Sequence, residues 1–195
     1  MNPKRAFVMC AVGIVAAAIG WMLWVGLPRW SGATARTTAS STPESAPEDV
    51  RKITTRLYYV SSDGTRLTSV EREVPFAEQT VAQARRIIEA QLAPVDAPLV
   101  TAIPAGAALR AIFVTEQGSA FVDLSSEIAT AHPGGSLNEL LTVYTIVQAL
   151  TTNLPALTSV QLLVAGKEVD TLAGHVDLTR PLPRADEWVA ENVSR

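Results

Sequence analysis

Cysteine is almost absent from this chain of 195 residues. The single cysteine, Cys10, lies in an apolar run near the N-terminus. The rest of the chain therefore cannot form a disulfide, a thiolate metal site or a cysteine nucleophile. Its stability has to come from a packed hydrophobic core.

Histidine is scarce too. His132 precedes Pro133 and His175 follows Gly174, so both are expected in loops. A metal site needs several ligands at characteristic spacing, and the sequence contains no HExxH or equivalent motif. We therefore expect no metal ion and no other cofactor, and both imidazoles should be solvated or hydrogen-bonded to turn backbone.

An excess of positive charge is also missing. The chain has 16 Lys and Arg against 19 Asp and Glu, which gives a formal net charge of −3. A nucleic-acid-binding domain normally carries a basic patch or stripe. The sequence therefore predicts no nucleic-acid partner.

Charge is entirely absent from Ala6 to Leu27, and this apolar run is the strongest feature of the sequence. A helix of about 22 residues reaches ~33 Å, enough to cross a hydrocarbon core. Lys4 and Arg5 precede the run, so the positive-inside rule places the N-terminus in the cytoplasm and residues 29–195 outside. The alternative is a cleaved signal peptide, since Ala33-Thr34-Ala35 resembles a cleavage site, but its apolar region would be unusually long.

Composition divides the chain into four parts. Residues 1–28 are the cytoplasmic stub and membrane helix, and residues 29–52 are rich in Ser, Thr, Ala and Pro. Such a segment has too little apolar surface to offset its ordering entropy, so we expect a disordered tether. Residues 53–182 form one domain, and residues 183–195 form a polar tail that should fray.

The pattern within the domain alternates hairpins with helices. Asp63-Gly64 and Gln117-Gly118 are the predicted hairpin turns. Thr80 and Ser136 open the two main helices, each with a capping-box partner three residues on, Gln83 and Glu139. The predicted order is ββα-ββα-ββ, an α+β domain with a mixed sheet and its helices on one face.

The second main helix, from Ser136 to about Asn153, is apolar around most of its circumference. Its core stripe is complete without Val143, Ile146 and Ala149, which widen the apolar surface. A helix of this kind is either deeply buried or faces a partner. These three residues are therefore the candidate partner surface, with internal burial as the alternative.

Candidate catalytic groups are few. Ser136, His175 and Asp123 could be combined into a nucleophilic triad, but Ser136 lacks the nucleophile-elbow context. Asp123 and Glu127 could act as paired carboxylates on a sugar, although Asp123 also fits a solvent-facing or turn-capping role. Gly134-Gly135-Ser136 could cradle an anion at a helix start, yet the Lys and further glycines of a phosphate loop are missing. The sequence favours a non-enzyme.

The ordered set of motifs resembles the GerMN domain, over about residues 53–182. The resemblance is carried by six segments in one consistent order: Leu57-Tyr58-Tyr59 with Asp63-Gly64, Ala102 to Gly106, Ala120 to Ser125, Gly134-Gly135-Ser136 before an apolar helix, Val160 to Val164 with Gly166-Lys167, and Gly174 to Leu178 before Pro181. The resemblance implies a non-catalytic bacterial extracytoplasmic module, often membrane-anchored, in sporulation, germination or peptidoglycan-associated assemblies. It implies no catalytic residues.

The leading expectation is a single-pass inner-membrane protein whose exported domain binds protein partners in a cell-envelope complex, with self-association open. The alternative is a peptidoglycan-binding module, in which Tyr58, Phe76 and Tyr144 would supply stacking faces, though core packing explains each equally well. An envelope hydrolase is the third possibility.

Overall fold

The computed structural model describes residues 51–190, in which two hairpins are each followed by a helix. The strands are β1 (Lys52–Val60), β2 (Leu67–Pro75), β3 (Leu109–Val114), β4 (Ser119–Leu124), β5 (Ser159–Val164), β6 (Lys167–Glu168) and β7 (Leu182–Pro183). The helices are α1 (Thr80–Leu92), α2 (Glu127–Thr130) and α3 (Ser136–Asn153), with a 3-10 turn at Asp186–Trp188. The predicted α+β class is confirmed for this range.

The predicted membrane helix and residues 29–50 of the predicted tether lie outside the described residues. The last tether residue, Lys52, is already the first residue of β1. Within residues 51–190, no helix combines the length and the hydropathy needed to cross a membrane.

The strands form two sheets rather than the single mixed sheet that was predicted. One is a mixed sheet of order β3-β4-β5-β6, with β7 also paired to β5. β4 and β5 run parallel, which places Val122 opposite Leu162. Ile112, Val122 and Leu162 are at most 3% exposed, and α1 packs against β3 while α3 packs against β5. This interface is the main hydrophobic core.

The second sheet is the antiparallel hairpin of β1 and β2, with Leu57 opposite Val70. Its separation from the mixed sheet has a structural reason, because side-chain amides occupy the outer edge of β1. Gln91 exchanges two hydrogen bonds of 2.8 Å with the backbone of Tyr58, and Asn153 does the same with Arg56. Val60 donates its backbone N–H to Val100 O. These groups satisfy the edge that another strand would otherwise pair with.

The proposed partner surface on α3 is corrected by the structure. Val143, Ile146 and Ala149 are each 0% exposed and belong to the hydrophobic core. α3 contacts the mixed sheet, β1 and α1, so it is enclosed on most of its circumference. Its broad apolar surface is explained by internal burial.

Both predicted capping boxes are also wrong, although both helix starts are right. The N-cap residues are Gln79 and Gly135, and neither makes a side-chain cap. Gln83 is buried and accepts a hydrogen bond from Ala77 N. Glu139 is directed away from its own helix start, as described below.

The predicted tail of residues 183–195, which was expected to fray, is described as far as residue 190. Residues 182–190, called here the C-terminal strap, are bonded to the rest of the domain. β7 pairs with β5, Trp188 lies 6.3 Å from the Tyr144 ring, and Gln148 Nε2 donates to Ala185 O. The strap ends at β2, where Val189 forms a parallel bridge with Leu67 and Ala190 N donates to Leu67 O. It thus links both sheets and α3.

Candidate functional site

A groove lies beside the hairpin sheet. Its cavity volume is about 580 Å³, and it lies between β2 and the proline-rich loop that follows α1. Leu57 and Tyr59 form part of its wall and are almost fully buried. Ala90, Pro94 and Leu99 supply further apolar lining. The wall is therefore largely apolar.

Charged residues of β2 form the rim of this groove. Arg72 and Glu73 line it from β2, and Asp96 lines it from the loop. Glu73 forms an ion pair with Lys52 at 3.2 Å, and both side chains are more than half exposed. An exposed pair of this kind contributes little to stability, so these charges remain available to a ligand.

The outer edge of β2 runs along the same rim. Val60 and Tyr58 of β1 point their backbone groups away from β2, since they bind Val100 and Gln91. Backbone N–H and C=O groups alternate in direction along a strand. In the register of β1 and β2, those of Leu67, Glu71 and Glu73 therefore point away from β1. Leu67 is paired with Ala190, whereas Glu71 and Glu73 have no outward backbone partner within residues 51–190.

Glu139 is the most deeply buried ionisable group in the described range, at 0% exposure. Its carboxylate accepts hydrogen bonds from the backbone of Leu172 and Ala173 at 2.8 and 2.9 Å. It also accepts two from His175, from the backbone N–H at 2.9 Å and from the ring Nδ1 at 3.1 Å. We call this arrangement the Glu139 clasp, because it holds the loop of residues 172–175 against α3.

The hydrogen bonds of the clasp keep Glu139 ionised. Burial pushes the pKa of Glu139 upward, but the backbone N–H groups of Ala173 and Leu172 and the His175 side chain outweigh it, and the net pKa is lowered. The carboxylate therefore acts as a fixed structural anion and is a poor proton donor.

Asp123 has a similar structural role on the mixed sheet. It is 6% exposed, pairs with Arg110 Nε at 3.0 Å and accepts a 2.7 Å hydrogen bond from Gly166 N. It therefore fixes the turn between β5 and β6. The expectation that Asp123 faces solvent or caps the Ser125-Ser126 turn is wrong.

His132 is hydrogen-bonded to the backbone of its own loop, which was one of the two predicted alternatives. Its Nδ1 accepts a hydrogen bond from Gly134 N at 3.0 Å, which leaves Nε2 as the protonated nitrogen that donates to Thr142 Oγ1 at 3.1 Å. Thr142 in turn donates to Ala102 O. His132 thus connects the glycine loop to α3, and the Gly134-Gly135 segment is used as a helix entry.

The structure does not assemble the candidate catalytic sets. Ser136 is exposed at the start of α3, while His175 is bound to Glu139 and Asp123 to Arg110 and Gly166. Glu127 is partly exposed, and hydrogen bonds from Ser125 and from backbone lower its pKa. Within residues 51–190 no group of three or more potential ligands could hold a metal ion.

The three candidate stacking rings have intramolecular contacts. Tyr58 is 3% exposed and donates its hydroxyl to Thr152 Oγ1 at 2.8 Å. The Arg51 guanidinium covers Phe76 at 4.0 Å from the ring centroid. Tyr144 packs near Trp188, and burial, then the charge of Glu187, raises its pKa. Tyr58 in particular offers no ring face to a sugar.

Sequence reasoning missed the polar stripe of α3. Its members recur every third residue and are all buried: Glu139, Thr142, Thr145, Gln148 and Thr151. The regular spacing was visible in the sequence and could have predicted a polar face on this helix. Glu139, Thr142 and Gln148 bind groups far away in sequence, which could not have been read from it. Thr151 binds Val147 O of its own helix, and Thr145 Oγ1 has no hydrogen-bond partner in the described range.

Comparison with known proteins finds a family match and similar solved structures. The model of the family Germane, described as "Sporulation and spore germination", matches residues 56–170. The first GerMN domain of the sporulation protein GerM from Bacillus subtilis has a TM-score of 0.53 and 18% identity, over 68% of this chain and 98% of that one. The tandem GerMN domains of the same protein give 0.49 and 16%, over 70% of this chain and 45% of that one. A search of curated proteins finds no match.

Proposed function

Because this chain belongs to the Germane family of sporulation and spore germination domains, we propose that it binds a protein partner in a bacterial cell-envelope assembly. In this proposal the domain is non-catalytic, lies outside the cytoplasm and is tethered to the inner membrane. The similarity in fold to a GerMN domain of a sporulation protein supports the GerMN assignment on which it rests.

The hydrogen bonds of the buried carboxylates support the proposal that the domain is non-catalytic. Within residues 51–190 the buried acidic side chains are Asp123 and Glu139. Both are bound by backbone N–H groups of their own fold. A general acid or base must instead reach a substrate proton and change its own protonation near working pH. Groups held in this way stabilise the fold.

The sequence carries the tethering part. The uncharged run from Ala6 to Leu27 follows Lys4 and Arg5, and the positive-inside rule then places the domain outside. A cysteine-accessibility experiment tests this orientation. Ser61→Cys in a Cys10→Ala background should react with a membrane-impermeant maleimide in intact spheroplasts. Labelling only after lysis would overturn the topology.

In-cell crosslinking tests the partner. The full-length chain is the bait, and a chain ending at residue 50 is the control. We expect envelope proteins to be crosslinked to the full-length chain and absent from the control. Recovery of wall glycan alone, together with sedimentation of the chain with purified sacculi, would replace the proposal with the peptidoglycan-binding alternative.

A further inference from the structure

We propose that the outer edge of β2 at Glu71–Glu73, with the adjoining groove, receives an extended segment of a partner protein that alternates basic and apolar residues. This inference rests on the proposed function and names its binding surface.

The backbone of β2 supplies the first argument. Glu71 and Glu73 present outward N–H and C=O groups without a partner in the described range, and both residues are exposed. An exposed strand edge with unpaired groups is the chemistry that strand addition uses. The same edge already pairs with an extended segment, because Val189 and Ala190 bind at Leu67.

The contrast with β1 supplies the second argument. From Arg56 to Val60 the opposite edge of this hairpin is closed by Asn153, Gln91 and Val100. Within residues 51–190 the backbone groups of Glu71 and Glu73 on the β2 edge have no such partner. This stretch of β2 is therefore available to lengthen the sheet.

Charge and register specify the occupant. Residues directly opposite Glu71 and Glu73 would lie on the face that carries these carboxylates, where β1 places Arg56 opposite Glu71 and Lys52 against Glu73. A basic side chain there would give each carboxylate an oppositely charged neighbour on its outer side as well. The residue between them would lie beside Arg72, on the face of Leu57, Tyr59 and the groove. An apolar side chain fits that position, since the groove wall is largely apolar.

The same charges disfavour a second copy as the occupant. Antiparallel pairing of two β2 strands centred on Glu71 places Glu71 opposite its equivalent, and centring on Arg72 places Arg72 opposite its equivalent and Glu71 opposite Glu73. Like charges directly opposite are destabilising. A partner with alternating lysines or arginines avoids this repulsion.

A titration of the full-length protein in a neutral detergent tests the proposal. The probe is a fluorescent, end-blocked heptapeptide of alternating lysine and leucine, and the control peptide has the same composition with the lysines and leucines in separate blocks. We expect the alternating peptide to bind more tightly than the block peptide. N-methylation of its alternate backbone nitrogens on one edge should abolish binding, because strand addition needs those donors.

Two substitutions locate the site. Glu71→Pro removes an outward N–H that β1 does not use, and Glu71→Thr is its matched control because it removes the same charge and keeps the N–H. We expect Glu71→Pro to bind the peptide about tenfold more weakly than Glu71→Thr. Ala93→Trp, at an exposed residue lining the groove, should also weaken binding, whereas Glu168→Gln should leave it unchanged.

Several outcomes would overturn the site. They are equal affinity for the alternating and block peptides, equal affinity of Glu71→Pro and Glu71→Thr, or self-association of the chain that Glu71→Pro abolishes. Thermal unfolding checks that each variant is folded, and the N-methylated peptide gives the test on unsubstituted protein. Partner crosslinking in cells that persists with Glu71→Pro would reject this surface and leave the proposed function standing. Absence of any partner with the unsubstituted chain would reject the proposed function itself.

Discussion

At the scale of single residues, Glu139 carries the sharpest prediction about stability. Glu139→Gln keeps the shape but replaces one acceptor oxygen with an NH₂ group. That group would face the N–H of Leu172 or His175, depending on which way the amide is turned. Losing charge-assisted hydrogen bonds at a buried site should lower the free energy of unfolding by about 1–3 kcal/mol. Urea unfolding at neutral pH measures it, and the exposed Glu168→Gln is the matched control that should change almost nothing.

The same residue predicts a pH dependence. The pKa of Glu139 is lowered in the folded state from its ordinary value of 4.5, so the unfolded chain takes up the proton first as pH falls. The stabilisation by Glu139 is therefore complete above about pH 4.5 and is lost as pH falls from there through the folded pKa. The difference in unfolding free energy between wild type and Glu139→Gln should be constant at neutral pH and shrink under acid. A difference that grows on acidification would contradict the clasp.

At the scale of elements, the two amides on the β1 edge differ in their surroundings. Gln91 is 0% exposed, whereas Asn153 binds the exposed Arg56. Gln91→Leu would leave the N–H and C=O of Tyr58 buried without partners, which should cost about 2 kcal/mol or more. Asn153→Ala should cost less, since water can reach Arg56. Urea unfolding of both variants checks the order, and an equal or reversed cost would argue against the edge-closing role of Gln91.

Local signals account for the elements that the sequence predicted correctly. The bounds of α3 follow from Gly134-Gly135 before it and Pro155 after it. The turn predicted at Gln117-Gly118 is also present, and it requires a glycine. Gly118 has a φ of +82°, and a Cβ there would lie 2.5 Å from Ala156 O. Glycine and proline at helix ends and turns act within a few residues, so their effect can be predicted without knowing the tertiary structure.

The features that could not be predicted from the sequence depend on long-range packing. The spacing of Ser136 and Glu139 fits a capping box equally well, but Glu139 binds a loop more than 30 residues away. The burial of Val143, Ile146 and Ala149 depends on how many elements enclose α3, which hydrophobicity alone does not reveal. The unpaired groups of Glu71 and Glu73 within residues 51–190 were likewise invisible, because they depend on which distant elements approach that edge of β2.

At the scale of the whole molecule, the C-terminal strap lies beyond the family match, which ends at residue 170. Its contacts are few, and they include an imperfect one, since Gln148 Oε1 is buried without a hydrogen-bond partner in the described range. β4 and β5, by contrast, are buried at the centre of the mixed sheet. Segments with few buried contacts open at lower free energy than the core. The strap should therefore open independently.

Hydrogen exchange of the full-length protein tests this independence. The amides of Trp188, Val189 and Ala190 are hydrogen-bonded within the strap or to Leu67, and they should exchange well before those of β4 and β5. Tyr144→Ala removes the ring beside Trp188, so it should speed exchange of the strap and leave the centre of the mixed sheet unchanged. Tyr144→Phe keeps the ring and is the control. Exchange of strap and sheet at one common rate would show that they unfold as a single unit, and that the strap is an integral part of this domain's core.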